Sequence, residues 1–125
     1  MTYDFIGKHY IASYLDCSNK SINDIINLKK TLELAIKQSK ATILSSTEYI
    51  FNNNGFTIAY LLSESHCSIH TYPEVNSLFV DLFTCGETCS WEEFDKTMIS
   101  FLEPKKSSKN IIIRGETNSI EQLNY

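Results

Sequence analysis

The sequence predicts an α+β fold: a two-layer α/β sandwich, with a mostly antiparallel sheet and two helices on one face, in the order β-α-β-β-β-β-α-β. Three observations predict it. Runs of β-branched and aromatic residues recur as short segments, several of them alternating apolar with polar. Tight-turn residues separate these runs closely enough for antiparallel neighbours. Only two stretches carry helical spacing behind a capping pattern.

Phe5 to Asp16, rich in Ile, Tyr and Ala, reads as the first strand. Ser21-Ile-Asn-Asp24 has the form of a capping box, and Ile25, Leu28, Leu32 and Ala35 follow at helical spacing until about Ser39 or Lys40. Ala41 to Phe51 is β-branched and aromatic, and Asn52-Asn-Asn-Gly55 is a hairpin turn. From Phe56 the chain alternates, with Phe56, Ile58, Tyr60 and Leu62 on one face and Thr57, Ala59, Leu61 and Ser63 on the other. Cys67 to Tyr72 is a strand ended by Pro73, and Ser77 to Thr84 is apolar enough to be central. Ser90-Trp-Glu-Glu93 opens a second helix with an inner face of Trp91, Phe94, Met98 and Phe101 or Leu102, stopped by Pro104. Lys109 to Arg114 is expected to be the last strand, with a loose tail from Glu116. Helices on one side leave the other face of the sheet bare, so a homodimer is expected to cover it.

The 125 residues suit one domain, and 42% apolar content is enough for a genuine core. Eleven basic against 15 acidic residues, with no basic stripe, exclude a nucleic-acid partner. The start, MTYDFIGKHY, lacks a charged leader with an apolar run, and no stretch approaches the roughly 20 apolar residues of a membrane span. A cytoplasmic protein with reduced Cys17, Cys67, Cys85 and Cys89 and no membrane partner is expected.

Chemistry-bearing residues concentrate in Ser63-Glu-Ser-His-Cys-Ser-Ile-His-Thr-Tyr-Pro-Glu74 and in Asp81-Leu-Phe-Thr-Cys-Gly86. Three chemistries compete for them. Zinc held by His66, His70, Cys67, Cys85 and Cys89 is disfavoured, because four residues of strand separate the two histidines by roughly 13 Å; no metal is expected. A hydrolase with Ser65 or Cys85 as nucleophile and His70 as base remains open, though no Gly-x-Ser-x-Gly elbow is present. The third is internal serinolysis. Taken singly, Ser65 would be a turn serine, His70 a strand histidine, Cys85 a buried thiol and Glu74 a solvated turn residue; only their combination argues otherwise.

Ser63-Glu64-Ser65-His66, Ile69-His70-Thr71, Pro73-Glu74 and Phe83-Thr84-Cys85-Gly86 resemble, in order and spacing, the central block of the short bacterial and archaeal S-adenosylmethionine decarboxylases. Gly7-Lys8-His9 and Ala41-Thr42-Ile43 extend the resemblance outward, down to about Arg114.

The resemblance implies a proenzyme. The Ser65 hydroxyl attacks the Glu64 carbonyl, an N-to-O shift makes an ester, and loss of the Ser65 α-proton eliminates it. The dehydroalanine left behind hydrolyses to a pyruvoyl group and ammonia. The products are residues 1–64 (β chain) and 65–125 (α chain). By the same resemblance, His70 is the processing base, suited by an imidazole's near-neutral titration, and Thr57 stands where a serine usually assists. The pyruvoyl then takes the substrate amine as a Schiff base and accepts the electrons of decarboxylation. Cys85 matches the proton donor, since an ordinary thiol is mostly protonated at neutral pH. Glu74 matches the carboxylate that holds ribose, Phe51 sits where an aromatic would stack on adenine, and Tyr72 replaces the usual tryptophan. Tyr72 and the unusual run Val75 to Phe79 keep a plain amino acid, arginine or ornithine, open as the substrate. An inactive regulatory partner of a true decarboxylase is a further alternative.

Overall fold

The alternation that begins at Phe56 is realised in a strand whose every second side chain is buried, and the next two strands of the chain alternate likewise. A computed structural model describes residues 6–86, 88–115 and 119–123. Its strands are β1 (Gly7–Leu15), β2 (Ile43–Ile50), β3 (Phe56–Leu62), β4 (Ser65–Tyr72), β5 (Ser77–Cys85), β6 (Lys106–Arg114) and β7 (Ser119–Leu123). They form one sheet in the order β2-β3-β4-β5-β1-β6-β7, and every pairing is antiparallel. β5, expected to be central, is the middle strand.

The helices α2 (Ile25–Gln38) and α3 (Trp91–Leu102) supply Leu28, Leu32, Ala35, Ile36, Phe94, Met98 and Leu102 to a single core. The sheet supplies Tyr10, Ile58, Cys67, Ile69, Leu82 and their in-phase neighbours. Both helices therefore cover one face, as the sequence predicts. At some 25 cal/mol per Å² of apolar area removed from water, this layer is the main source of stability. Within it lies a charged pair: Lys109 Nζ donates to Asp95 Oδ2 at 2.6 Å, while Tyr10 and Tyr14 hydroxyls donate to Asp95 Oδ1 at 2.8 and 2.6 Å. A buried carboxylate is tolerable only with partners of this kind. Burial, reinforced by Tyr10 and Asp95, drives the Tyr14 phenol far above its usual range.

Two expectations need correction. The Ser21 capping box does not form, because an Asp side chain is too short for the long reach back that Glu or Gln makes. Instead Ser18 caps a short helix, α1 (Asn19–Asn23), and Asp24 caps α2 by accepting from the Asn27 N–H. The sheet also does not end at β6, since β7 pairs with it over Ser119–Leu123, inside the tail expected to be loose. As expected, α3 ends just short of Pro104, at Leu102, with Glu103 in the left-handed region (φ 50°). Ser90 does cap α3, accepting from the Glu93 N–H at 3.2 Å. Among the described residues no helix is long and apolar enough to cross a membrane.

Candidate active site

Residues out of phase with the core line the open face of the sheet: His9, His66, Ser68, His70, Tyr72, Phe79, Asp81, Phe83 and Cys85. The expected site residues divide between its two ends.

At one end the Asn52–Gly55 turn and a 3-10 turn (Pro73–Val75) flank a cleft of about 580 Å³. Phe51, Thr57, His70, Tyr72 and Glu74, five of the expected residues, all line it. Thr57 and His70 face each other across the β3–β4 ladder, with Thr57 Oγ1 and His70 Nδ1 3.0 Å apart. This is hydrogen-bond distance, and it fixes the imidazole. Asn53 Nδ2 donates to Glu74 Oε2 at 3.1 Å, so the hairpin turn orients the carboxylate. Phe51 and Tyr72 remain exposed along the cleft, 50% and 38%.

At the other end Leu62 pairs with Ser65, and the two-residue turn between them holds Glu64 in the left-handed region, φ 60°. For a residue with a Cβ that conformation costs about 1–2 kcal/mol. One step beyond the His66↔Phe83 pair lie Ser65 on β4 and Thr84-Cys85 on β5. Gly86 follows at φ 93°, a conformation that favours glycine. Ser65 is in phase with the buried Cys67 and Ile69, whereas Cys85 faces the open side.

The structure thus brings Thr57, His70, Phe51, Tyr72 and Glu74 together, and Ser65 near Cys85, but keeps the two groups apart. Five residues of strand from Ser65 to His70 span roughly 16–17 Å.

Sequence reasoning gave no role to His9 or Asp81. Asp81 Oδ1 lies 3.7 Å from His9 Nε2 and 3.4 Å from His66 Nε2. Burial lowers the His9 pKa, His66 and Arg114 add to the effect, and Asp81 opposes it. The only sequence signal was their shared face, legible once the β1–β5 register is known. The four cysteines are unpaired. Burial pushes the Cys67 and Cys89 thiols up, with Asp81 adding at Cys67 and Cys85 at Cys89.

A family model described as S-adenosylmethionine decarboxylase matches residues 8–115, which carry both ends of this site. The chain belongs to the S-adenosylmethionine decarboxylase family.

Relatives agree over nearly the whole length. The chain is 36% identical over 110 residues to an S-adenosylmethionine decarboxylase proenzyme of Methanococcus maripaludis strain S2, covering 88% of this chain and 90% of that protein. It is 36% identical over 115 residues to the proenzyme of Brevibacillus brevis, covering 92% and 86%. The crystal structure of the adenosylmethionine decarboxylase from Aquifex aeolicus VF5 superposes with a TM-score of 0.78 at 30% identity, over 94% of this chain and all of that one. The family's fold is therefore the fold described above.

Proposed function

We propose that this chain is a self-cleaving proenzyme that cuts Glu64–Ser65, converts Ser65 to a pyruvoyl group, and decarboxylates S-adenosylmethionine to supply an aminopropyl donor. The observation that carries this is the cleft in which a hydrogen-bonded Thr57–His70 pair lies beside Phe51, Tyr72 and Glu74. The pyruvoyl group would supply the electron sink for loss of carbon dioxide. The residues present fit its formation, because Glu64 is held in a strained turn whose release favours cutting. Cutting also frees residue 65 from the turn, so that it can swing to the open face where Cys85 waits to protonate the product. Phe51 would stack on adenine, Glu74 would accept ribose hydroxyls, and Tyr72 would face the sulfonium, whose charge favours aromatic faces. The unpaired thiols fit the expected cytoplasmic location.

A base must come within about 3 Å of the proton it takes, and His70 stands roughly 16 Å from Ser65 along its own strand. We therefore read the working unit as a homodimer joined through the open sheet faces. A two-fold axis would set the His70 end of one copy against the Ser65 end of the other. Ile11, Tyr72 and Phe79, all partly exposed on that face, are the apolar surface such a contact would bury.

Mass spectrometry of the purified protein should show two fragments, the larger-numbered one blocked at its N-terminus, and carboxyl-labelled S-adenosylmethionine should release labelled carbon dioxide. A single uncut 14.3 kDa chain would favour the inactive regulatory partner. A cut chain that turns over arginine or ornithine instead would assign the plain amino-acid substrate. The dimeric site has its own test: a His70→Ala chain, uncut alone, should be cut when co-folded with a Ser65→Ala chain. Failure of that rescue would place both residues in one chain.

A further inference from the structure

Beside the cleavage turn, three adjacent strands aim donor atoms at one point of the open face that the proposed reaction does not use. His9 on β1, His66 on β4 and Asp81 on β5 each contribute one, and the three atoms lie within 4.8 Å of one another. The gaps to Asp81 Oδ1, 3.4 Å from His66 Nε2 and 3.7 Å from His9 Nε2, are too long for good hydrogen bonds. His9 Nε2 and Asp81 Oδ1 are shielded from solvent and have no hydrogen-bond partner. Buried polar atoms are almost always satisfied, so two converging orphans call for a shared partner that takes lone pairs from both.

We propose that His9, His66 and Asp81 form a binding site for a first-row divalent transition-metal ion, with zinc as its occupant. Two imidazoles and a carboxylate suit such ions and leave a fourth position open. Ligands about 2.0–2.1 Å from a tetrahedral zinc stand roughly 3.3 Å apart, close to the 3.4 Å and 3.7 Å found. Outer support is in place as well. Ser68 Oγ donates to Asp81 Oδ2 at 3.1 Å and so fixes the carboxylate with Oδ1 toward the rings. Phe83 stacks on His66 and meets His9 edge-on. Its ring lies across β1 because residue 7 is glycine; a Cβ there would come within 2.5 Å of Phe83 Cε1.

Asp81 is the one anionic donor, and the Arg114 guanidinium lies over Phe83. Affinity must therefore come from imidazole nitrogen, which selects zinc, cobalt or nickel over magnesium and calcium. The bound ion would clamp β1, β4 and β5, the strands that carry Gly7, Ser65 and Cys85. Nothing in this site depends on the decarboxylase reading.

Titrating metal-stripped full-length protein with Co²⁺ tests it through visible absorption, without any assay of activity. The expected result is one ion per chain, no thiolate charge-transfer band, and at least tenfold weaker binding in His9→Gln and Asp81→Asn. Ser68→Ala, which alters no ligand, should weaken binding by about tenfold, and excess Mg²⁺ should not compete. The absence of saturable Co²⁺ and Zn²⁺ binding would overturn the proposal. So would unchanged binding in folded His9→Gln and Asp81→Asn, or a thiolate band that moves the ion to the cysteines. Metal-free melting curves check folding; if a ligand variant unfolds, the parent spectrum and the Ser68→Ala shift still decide.

Discussion

On the helix-covered face of the sheet Tyr10, Ile58, Ile69 and Leu82 are fully buried, while on the open face His66, His70, Tyr72 and Phe79 of the same strands stay exposed. Each face has its own charged group. Under the helices Asp95 is held by Lys109 and two tyrosines, every contact at 2.8 Å or less. On the open side Asp81 faces two imidazoles at 3.4 Å and 3.7 Å. The first arrangement is saturated and structural; the second has unsatisfied capacity. Strand alternation lets one set of strands do both tasks, since neighbouring residues in sequence answer to different constraints.

If the faces are functionally separate, damage to one should spare the other. The largest effect is all-or-none: Ser65→Ala should leave a single uncut chain by mass spectrometry, with an unchanged melting temperature. Loss of folding there would break the separation. Next is Lys109→Ala, which strips Asp95 of its cation and should cost about 3–5 kcal/mol in denaturant unfolding. The molecules that stay folded should still cut at the parental rate.

A pH titration of stability sharpens the contrast. Burial raises Cys17 to about 11 from an ordinary 9.0 and pushes Cys67 up as well. Both thiols are kept neutral in the fold, so the unfolded chain ionises first. Their contribution is complete below pH 9 and falls as pH climbs toward 11. Urea melts across that range should show the decline, and Cys67→Ala should flatten it. The smallest effect is Ser90→Ala, which removes the α3 cap and should cost about 1 kcal/mol with cleavage untouched.

The architecture was legible because its signals are local. The Asn52–Gly55 turn, the alternation from Phe56 and the Ser90 cap each act within a few residues. The break between α1 and α2 was hidden by two overlapping caps, Ser18 and Asp24, where one was expected at Ser21. β7 was missed since its run is short and only partly apolar, with Ile120 and Leu123, and its pairing with β6 is not a local signal. Five cleft residues were found together because the motif that names them folds into adjacent strands. The separation of Ser65 from His70 follows from strand rise alone, yet a linear motif presents them as neighbours. The buried Asp95–Lys109 pair went unread, since nothing in the sequence marks Lys109 as facing the α3 side of the sheet.

The strand order has a consequence for the life of the protein. Under the proposed cut after residue 64, the first fragment would own β1, β2 and β3, and the second β4 to β7. The sheet interleaves them: β2-β3 from the first, β4-β5 from the second, β1 from the first, β6-β7 from the second. Two pieces woven in this way do not drift apart after the cut, yet they are no longer covalently one chain. Unfolding then becomes a separation of two polypeptides, and recovery a second-order reassembly that dilution defeats. In the proposed reaction the hydroxyl that makes the cut is also consumed in making it. On that proposal each molecule would be assembled as a precursor, matured once, and recovered after unfolding only where its two pieces meet again.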